Sequence, residues 1–247
     1  MRLYALRHGE TSWNVQRRFQ GQSDIPLNDK GILLAELTGE GLANVPFDLA
    51  FTSPLCRARQ TAELVLAGRD GPLYVEPRLI EMAFGVYEGV TANSGPGGTL
   101  NQNLVDFICH AERYQAPEGG ETFQELSKRM ADYLFDLCHR QELADKTILL
   151  ASHGGAITAL LNAIDCHDFP EPCHISHMFA LGCRDRTDCI PGCHKLCAGI
   201  FLRNNLALIC HLAVGRSGLL SVYVKINVFS NRIPHDVNRC IQIIDKF

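Results

Sequence analysis

Apolar residues along this chain gather in short continuous runs and seldom in the alternating pattern of a half-exposed sheet. Leu3–Leu6, Leu49–Thr52, Leu73–Val75, Thr147–Ser152, Leu206–Leu212 and Val222–Ile226 each read as a strand. Unbroken runs of this length suit a sheet covered on both faces, since successive strand residues point to opposite sides. Helical spacing fills the intervals. Asn28 is placed to cap a helix to about Ala43, with Leu33, Leu34, Leu37 and Leu42 on one face. Ser53-Pro54 reads as a cap followed by proline at the first helical position, opening a helix to about Leu66. Between Thr122 and Arg140, Phe123, Leu126, Met130, Leu134 and Leu137 recur on one helical face. A further helix, Gly154–Ile164, follows the fourth strand directly. Strands alternating with helices in this way predict an α/β fold, a three-layer α/β/α sandwich with a mostly parallel central sheet.

No internal repeat or low-complexity linker divides the chain, so residues 1–247 read as one domain. Residues 90–120 break the rhythm with a glycine-rich stretch, "TANSGPGGTLNQN", and read as a cap-like excursion from the sheet. Its "GPGG" does not follow a strand, which argues against a dinucleotide-cradling loop. A hydrophobic content of 46% is enough for one packed core. The net charge of −4 offers no basic field for nucleic acid, so none is expected as a partner. The apolar windows Thr147–Ala151 and Leu206–Val214 fall well short of the roughly 18 residues of a membrane span. The apolar run in the first eight residues is too short for a secretion signal, so a cytoplasmic location is expected. Eleven cysteines, an odd number without such a signal, argue against a disulfide framework. Cys56, Cys109, Cys138, Cys210 and Cys240 read as small buried apolar residues.

Ligands in open parallel sheets sit beyond the carboxyl ends of the strands. Three polar clusters fall there: Arg7-His8-Gly9-Glu10-Thr11, Ser53-Pro54-Leu55-Cys56-Arg57 and Ser152-His153-Gly154-Gly155. Together they offer two histidines, two arginines and helix N-termini. Phosphoryl transfer needs that set, because its charge spreads over equatorial oxygens and is stabilised by placed cations and N–H donors. Arginine forks match phosphate oxygens, and an imidazole can accept the phosphoryl group covalently.

Five blocks carry a resemblance. "LRHGETSWN" at 6–14, "GQSDIPLNDKG" at 21–31, "SPLCRARQTAE" at 53–63, "LIEMAFGVYEG" at 79–89 and "SHGGAITALL" at 152–161 resemble the histidine phosphatase superfamily, the phosphoglycerate mutase-like proteins. The resemblance implies a phosphohistidine intermediate on His8 and clamping of the phosphoryl oxygens by Arg7 and Arg57. It implies a further donor in His153, a phosphate contact from Asn14 and a general acid/base in Glu81. Gln20 and Gly21 are added as contacts near the phosphate. Glu88 is read as structural and Glu10 as orienting its loop, and Arg59, two positions from Arg57, faces elsewhere on its helix. The chemistry implies no cofactor and no metal at the site.

Between Glu81 and Gly119, Arg113 is the one formal cation, with His110 close by. A mutase holds a second phosphate, so the expectation is a phosphatase acting on a small-molecule phosphate monoester, with a mutase or a weakly active phospho-ligand binder as alternatives. Asn101, Asn103, His110, Arg113 and Tyr114 are the candidates for setting its substrate. After Leu161 the resemblance weakens. Residues 166–200 read as an atypical insertion with Cys183, Cys189, Cys193 and Cys197, next to His174, His177 and His194. The spacing lacks paired CxxC knuckles, so a structural zinc there is the lesser reading. This segment also keeps a homodimer contact open.

Overall fold

A computed structural model describes residues 1–93, 100–166, 208–214 and 220–226. Among these described residues six strands form one sheet: β1 (Arg2–Arg7), β2 (Leu49–Thr52), β3 (Leu73–Val75), β4 (Thr147–Ser152), β5 (Leu208–Val214) and β6 (Leu220–Ile226). Their order is β3-β2-β4-β1-β5-β6. The four strands β3, β2, β4 and β1 are mutually parallel, whereas β5 runs antiparallel to β1 and to β6. The helices are α1 (Ser12–Val15), α2 (Asp29–Gly41), α3 (Cys56–Val65), α4 (Gln102–Cys109), α5 (Phe123–His139) and α6 (Gly154–Cys166). This is the expected α/β fold. No described helix is long and apolar enough to cross a membrane.

The continuous apolar runs have a direct cause in the packing. Leu3, Leu49, Phe51, Ile148 and Leu150 pack with Phe123, Leu126, Met130, Leu134 and Leu137 of α5 and Ala156, Ala159 and Leu160 of α6. Their neighbours Leu6, Ala50 and Leu149 belong to a second cluster with Leu42, Phe47, Val65 and Leu66. Both faces of the sheet are therefore dry at β2 and β4, every residue of which is buried. At α5, the Thr122 hydroxyl accepts from Glu125 N and the Glu125 carboxylate accepts from Thr122 N, a reciprocal cap one residue before the helix. Met130 is wholly buried on this helix, and its truncation to alanine would cost about 2–5 kcal/mol.

Two helices differ from expectation. In α2 the buried positions are Gly31, Ala35 and Thr38, while Leu33 lies 49% exposed. Small residues let the helix come close to its surroundings. A Cβ on Gly31 would lie 2.1 Å from the Glu10 carbonyl oxygen, and one on Gly39 would lie 3.1 Å from that of Val65. The helix after β2 begins at Cys56, not at Pro54, and Leu55 at its N-cap supplies no side-chain hydrogen bond. Asp24 instead accepts from Cys56 N at 2.6 Å, while the Ser53 hydroxyl turns to other work described below.

Within the 88–121 excursion the structure adds α4, capped by Asn101, whose Oδ1 accepts from Leu104 N. Phe107 of this helix packs against Phe19, Phe84, Tyr114 and Phe123, with ring centroids 4.8–5.7 Å apart. The cysteine-rich residues beyond Cys166, and with them the zinc reading, lie outside the described residues.

Candidate active site

The register of three adjacent strands builds the site. Arg7 pairs with Ser152 across β1 and β4, and His8 N donates to the Ser152 carbonyl at 3.0 Å, extending the ladder one step. On the other side of β4, Ser53 N donates to Ala151 O at 2.9 Å. The strand ends thus set His153 between His8 and Ser53. The two imidazole centroids are 5.2 Å apart and tilted by 55°. His153 Nε2 lies 2.7 Å from Ser53 Oγ. Gly9, beside His8, passes so near α2 that an added Cβ would stand 2.6 Å from Gly31 O, and its N–H donates to Thr61 Oγ1 at 3.0 Å.

His8 Nδ1 lies 2.7 Å from Gly9 O. A carbonyl can only accept, so Nδ1 carries the proton and Nε2 keeps a free lone pair. Burial, reinforced by the positive charges of Arg7 and Arg57, holds the His8 pKa well below the ordinary imidazole range. Burial, then His8, Arg57 and Arg7, does the same to His153. Both rings are therefore neutral at neutral pH. As pH falls below about 6.5, the unfolded chain takes up protons that the folded imidazoles refuse, so the unfolded state binds more protons and stability declines. Denaturant titrations between about pH 6.5 and about pH 5 should show a loss of up to about 1.4 kcal/mol per pH unit for each histidine. A flat stability across that window would mean that both rings titrate normally.

Arg57 is fully buried. Its Nη1 and Nη2 donate to the carbonyls of Ser23 and Gly21, each at 2.7 Å. Burial lowers the pKa of Arg57 and of Arg7, with the Glu81 charge acting against it in each case. Arg7 Nε, Arg57 Nε and His153 Nδ1 are all buried without a hydrogen-bond partner. Buried polar atoms are seldom left so. Three orphaned nitrogens around a neutral imidazole fit a ligand with several anionic oxygens.

Glu81 faces the same centre. Its carboxylate accepts from Met82 N at 2.9 Å, Gly155 N at 3.2 Å and Ala156 N at 3.1 Å, which seats it on the N-terminus of α6 directly after His153. Gly155 permits this, since a Cβ there would lie 2.7 Å from Glu81 Oε1. Behind the loop, Arg129 Nη1 donates to the carbonyls of Arg78 and Ile80, while its Nε and Nη2 donate to the Glu121 carboxylate.

The other expected residues divide. Asn14 Oδ1 accepts from Thr11 N and Thr11 Oγ1, each at 3.0 Å, which leaves Nδ2 as its donor. Gln20 Oε1 lies 3.0 Å from the same Thr11 hydroxyl, whose single proton it shares with Asn14 Oδ1. Gly21 supports Arg57 through its carbonyl, at φ +51°, and a Cβ there would strike Glu88. Glu88 accepts from Gln22 N, Ser23 Oγ and Phe84 N, in keeping with a structural part. Glu10 accepts from Asn28 Nδ2, and Arg59 pairs with Glu63 on the exposed face of α3. In the excursion, Asn103 is occupied with the backbone of Gln115, and His110 and Arg113 lie against Glu112. Sequence reasoning passed over the contacts of Ser53, Thr61 and Gly155. Their signal was present, in that each lies inside one of the resembling blocks. Among the described residues, no cluster of His, Cys, Asp and Glu could hold a metal ion.

The sequence model of the histidine phosphatase superfamily (branch 1) matches residues 3–180. Over 172 residues the chain is 32% identical to 2,3-bisphosphoglycerate-dependent phosphoglycerate mutase 2 of Gloeobacter violaceus, covering 68% of this chain and 77% of that protein. It is 34% identical over 163 residues to adenosylcobalamin/alpha-ribazole phosphatase of Salmonella typhimurium, covering 65% and 78%. Among solved structures, YhfR of Bacillus stearothermophilus superposes with a TM-score of 0.69 at 29% identity, over 90% of this chain and 95% of that one. Phosphoserine phosphatase of Entamoeba histolytica, in complex with 3-phosphoglyceric acid, gives 0.65 at 26% identity, over 92% and 97%.

Proposed function

The chain belongs to the histidine phosphatase superfamily (branch 1), and on that premise we propose that it hydrolyses small-molecule phosphate monoesters through a phosphohistidine on His8. The observation that carries the reading is the free imidazole lone pair on His8 Nε2 in one strand-end site with two unpartnered guanidinium donors, Arg7 Nε and Arg57 Nε, and the unpartnered His153 Nδ1. His8 Nε2 attacks phosphorus as the ester P–O bond breaks. Arg7, Arg57, His153 Nδ1 and Asn14 Nδ2 hold the equatorial oxygens, with Gln20 and Gly21 shaping the loop behind them. The Glu81 carboxylate takes up the proton that a monoanionic phosphate ester brings into the site and passes it to the leaving oxygen. It then takes a proton from water, whose oxygen attacks phosphorus as the P–N bond breaks, and inorganic phosphate departs from a neutral His8. No cofactor or metal enters these steps. The described residues 100–120 of the excursion are assigned the part of a cap within a single domain.

A phosphatase is favoured over a mutase because Arg113, the lone cation between Glu81 and Gly119, is exposed and beside Glu112 at 3.6 Å. The mutase reading draws on the Gloeobacter violaceus relative. A panel of phosphomonoesters assayed with and without a bisphosphorylated primer separates the two. Release of inorganic phosphate without primer is expected, and isomerisation that requires primer would sink the phosphatase reading. Within the panel, Glu81→Gln should lose about 10²–10⁴-fold in kcat on alkyl phosphates. It should lose far less on p-nitrophenyl phosphate, whose leaving group needs no proton. Equal losses on both would remove Glu81 from the role of acid.

A further inference from the structure

We infer that Ser53 is a positioning residue that fixes the proton of His153 on Nδ1 and so makes this imidazole a donor toward the phosphoryl group. The inference deepens the phosphoryl-transfer reading above and rests on it. Ser53 and His153 are both fully buried. Ser53 Oγ accepts from Leu55 N at 3.3 Å and lies 2.7 Å from His153 Nε2. A neutral imidazole has one N–H, and a serine hydroxyl has one proton and two lone pairs.

Two arrangements are available. If Nε2 donated to Ser53, the hydroxyl proton would need another acceptor, and none is found among the described residues. His153 Nδ1 would then present a lone pair to the phosphoryl oxygens. If instead the hydroxyl donates to Nε2, its oxygen still accepts from Leu55 N and every polar atom of Ser53 is used. The proton of His153 then sits on Nδ1, the buried atom that lacks a partner in the chain. This second arrangement leaves a single unfilled group, and that group is a donor, as a phosphoryl oxygen requires.

The consequence is a division of labour between two rings in one tautomer. In His8 the Nδ1 proton is absorbed by the Gly9 carbonyl, and the lone pair is left to attack. In His153 the lone pair is absorbed by Ser53, and the proton is left to donate. One neighbouring oxygen for each ring decides which becomes the nucleophile and which the donor, in the way that outer hydrogen bonds set the ring nitrogens of ligating histidines.

The test is ¹⁵N NMR of histidine-labelled protein without substrate, with His153→Gln assigning the resonance. Wild type should show His153 protonated at Nδ1 and bare at Nε2. Ser53→Ala should show a mixture of tautomers and a fall in kcat of about 10–100-fold with KM little changed, since the donor acts mainly in the transition state. Ser53→Thr, which keeps the hydroxyl, should restore both. A wild-type ring protonated at Nε2 overturns the proposal, and this readout stands even if Ser53→Ala fails to fold. So does an Ser53→Ala protein whose tautomer shifts with kcat unchanged, or whose tautomer does not shift. Trapping phosphate on wild-type His8 is a separate measurement, so a failure of the phosphatase reading is told apart from a failure here.

Discussion

Replacing His8 by alanine should lower phosphomonoester turnover by roughly four orders of magnitude and abolish any acid-labile phosphate on the protein. The size of the effect follows from the covalent step. Without Nε2 there is no acceptor to divide the hydrolysis in two. What remains is the clamp of Arg7 and Arg57, which can still bind a phosphate and stabilise slow attack by water. The fold should survive, because His8 lies one residue beyond the end of β1 and belongs to neither apolar cluster of the core. Acid and alkaline quenches of wild type incubated with labelled ester provide the check. Activity of His8→Ala within tenfold of wild type would overturn the mechanism.

Arg57→Lys carries the second large effect, a loss of about 10²–10³-fold in kcat/KM together with a lower midpoint of denaturation. The guanidinium works in three directions at once. Nη1 holds Ser23 O, Nη2 holds Gly21 O, and Nε is left buried and unpaired. A lysine offers one ammonium on a longer, looser stem and cannot reach both carbonyls while addressing a ligand. At least one buried carbonyl then loses its donor, at about 1–3 kcal/mol. Urea titration beside steady-state kinetics measures both parts. A lysine variant matching wild type in each would show that only the charge of Arg57 matters.

The strands were legible because dry sheets leave uninterrupted apolar runs, and β2, β3 and β4 match their expected limits at both ends. The histidines, arginines and Glu81 were legible because strand ends and family blocks coincide. Other features depend on partners far away in sequence. Ser53-Pro54 looks like a helix start, yet Ser53 is taken by His153, a hundred residues on, and Asp24 caps the helix from outside. The leucines of α2 suggested an apolar face, but Gly31, Ala35 and Thr38 turned inward because only small side chains fit where the backbones approach. The polar residues of the excursion looked available for substrate, yet Asn101 and Asn103 are used up in holding α4 and Gln115. Such contacts are invisible to spacing alone.

The register between β1 and β4 also has a kinetic meaning. Arg7 faces Ser152 across a pairing of the first and fourth strands, and the two imidazoles meet only one step beyond it. No local segment can form this meeting. It requires closure of a loop that spans more than half the chain, and such closures come late because their entropy cost precedes their reward. A nascent or partly folded chain can therefore hold its helices and still have no nucleophile-and-donor pair. Reactivity arrives only with the β1–β4 pairing, so the folded state is itself the switch that turns the chemistry on.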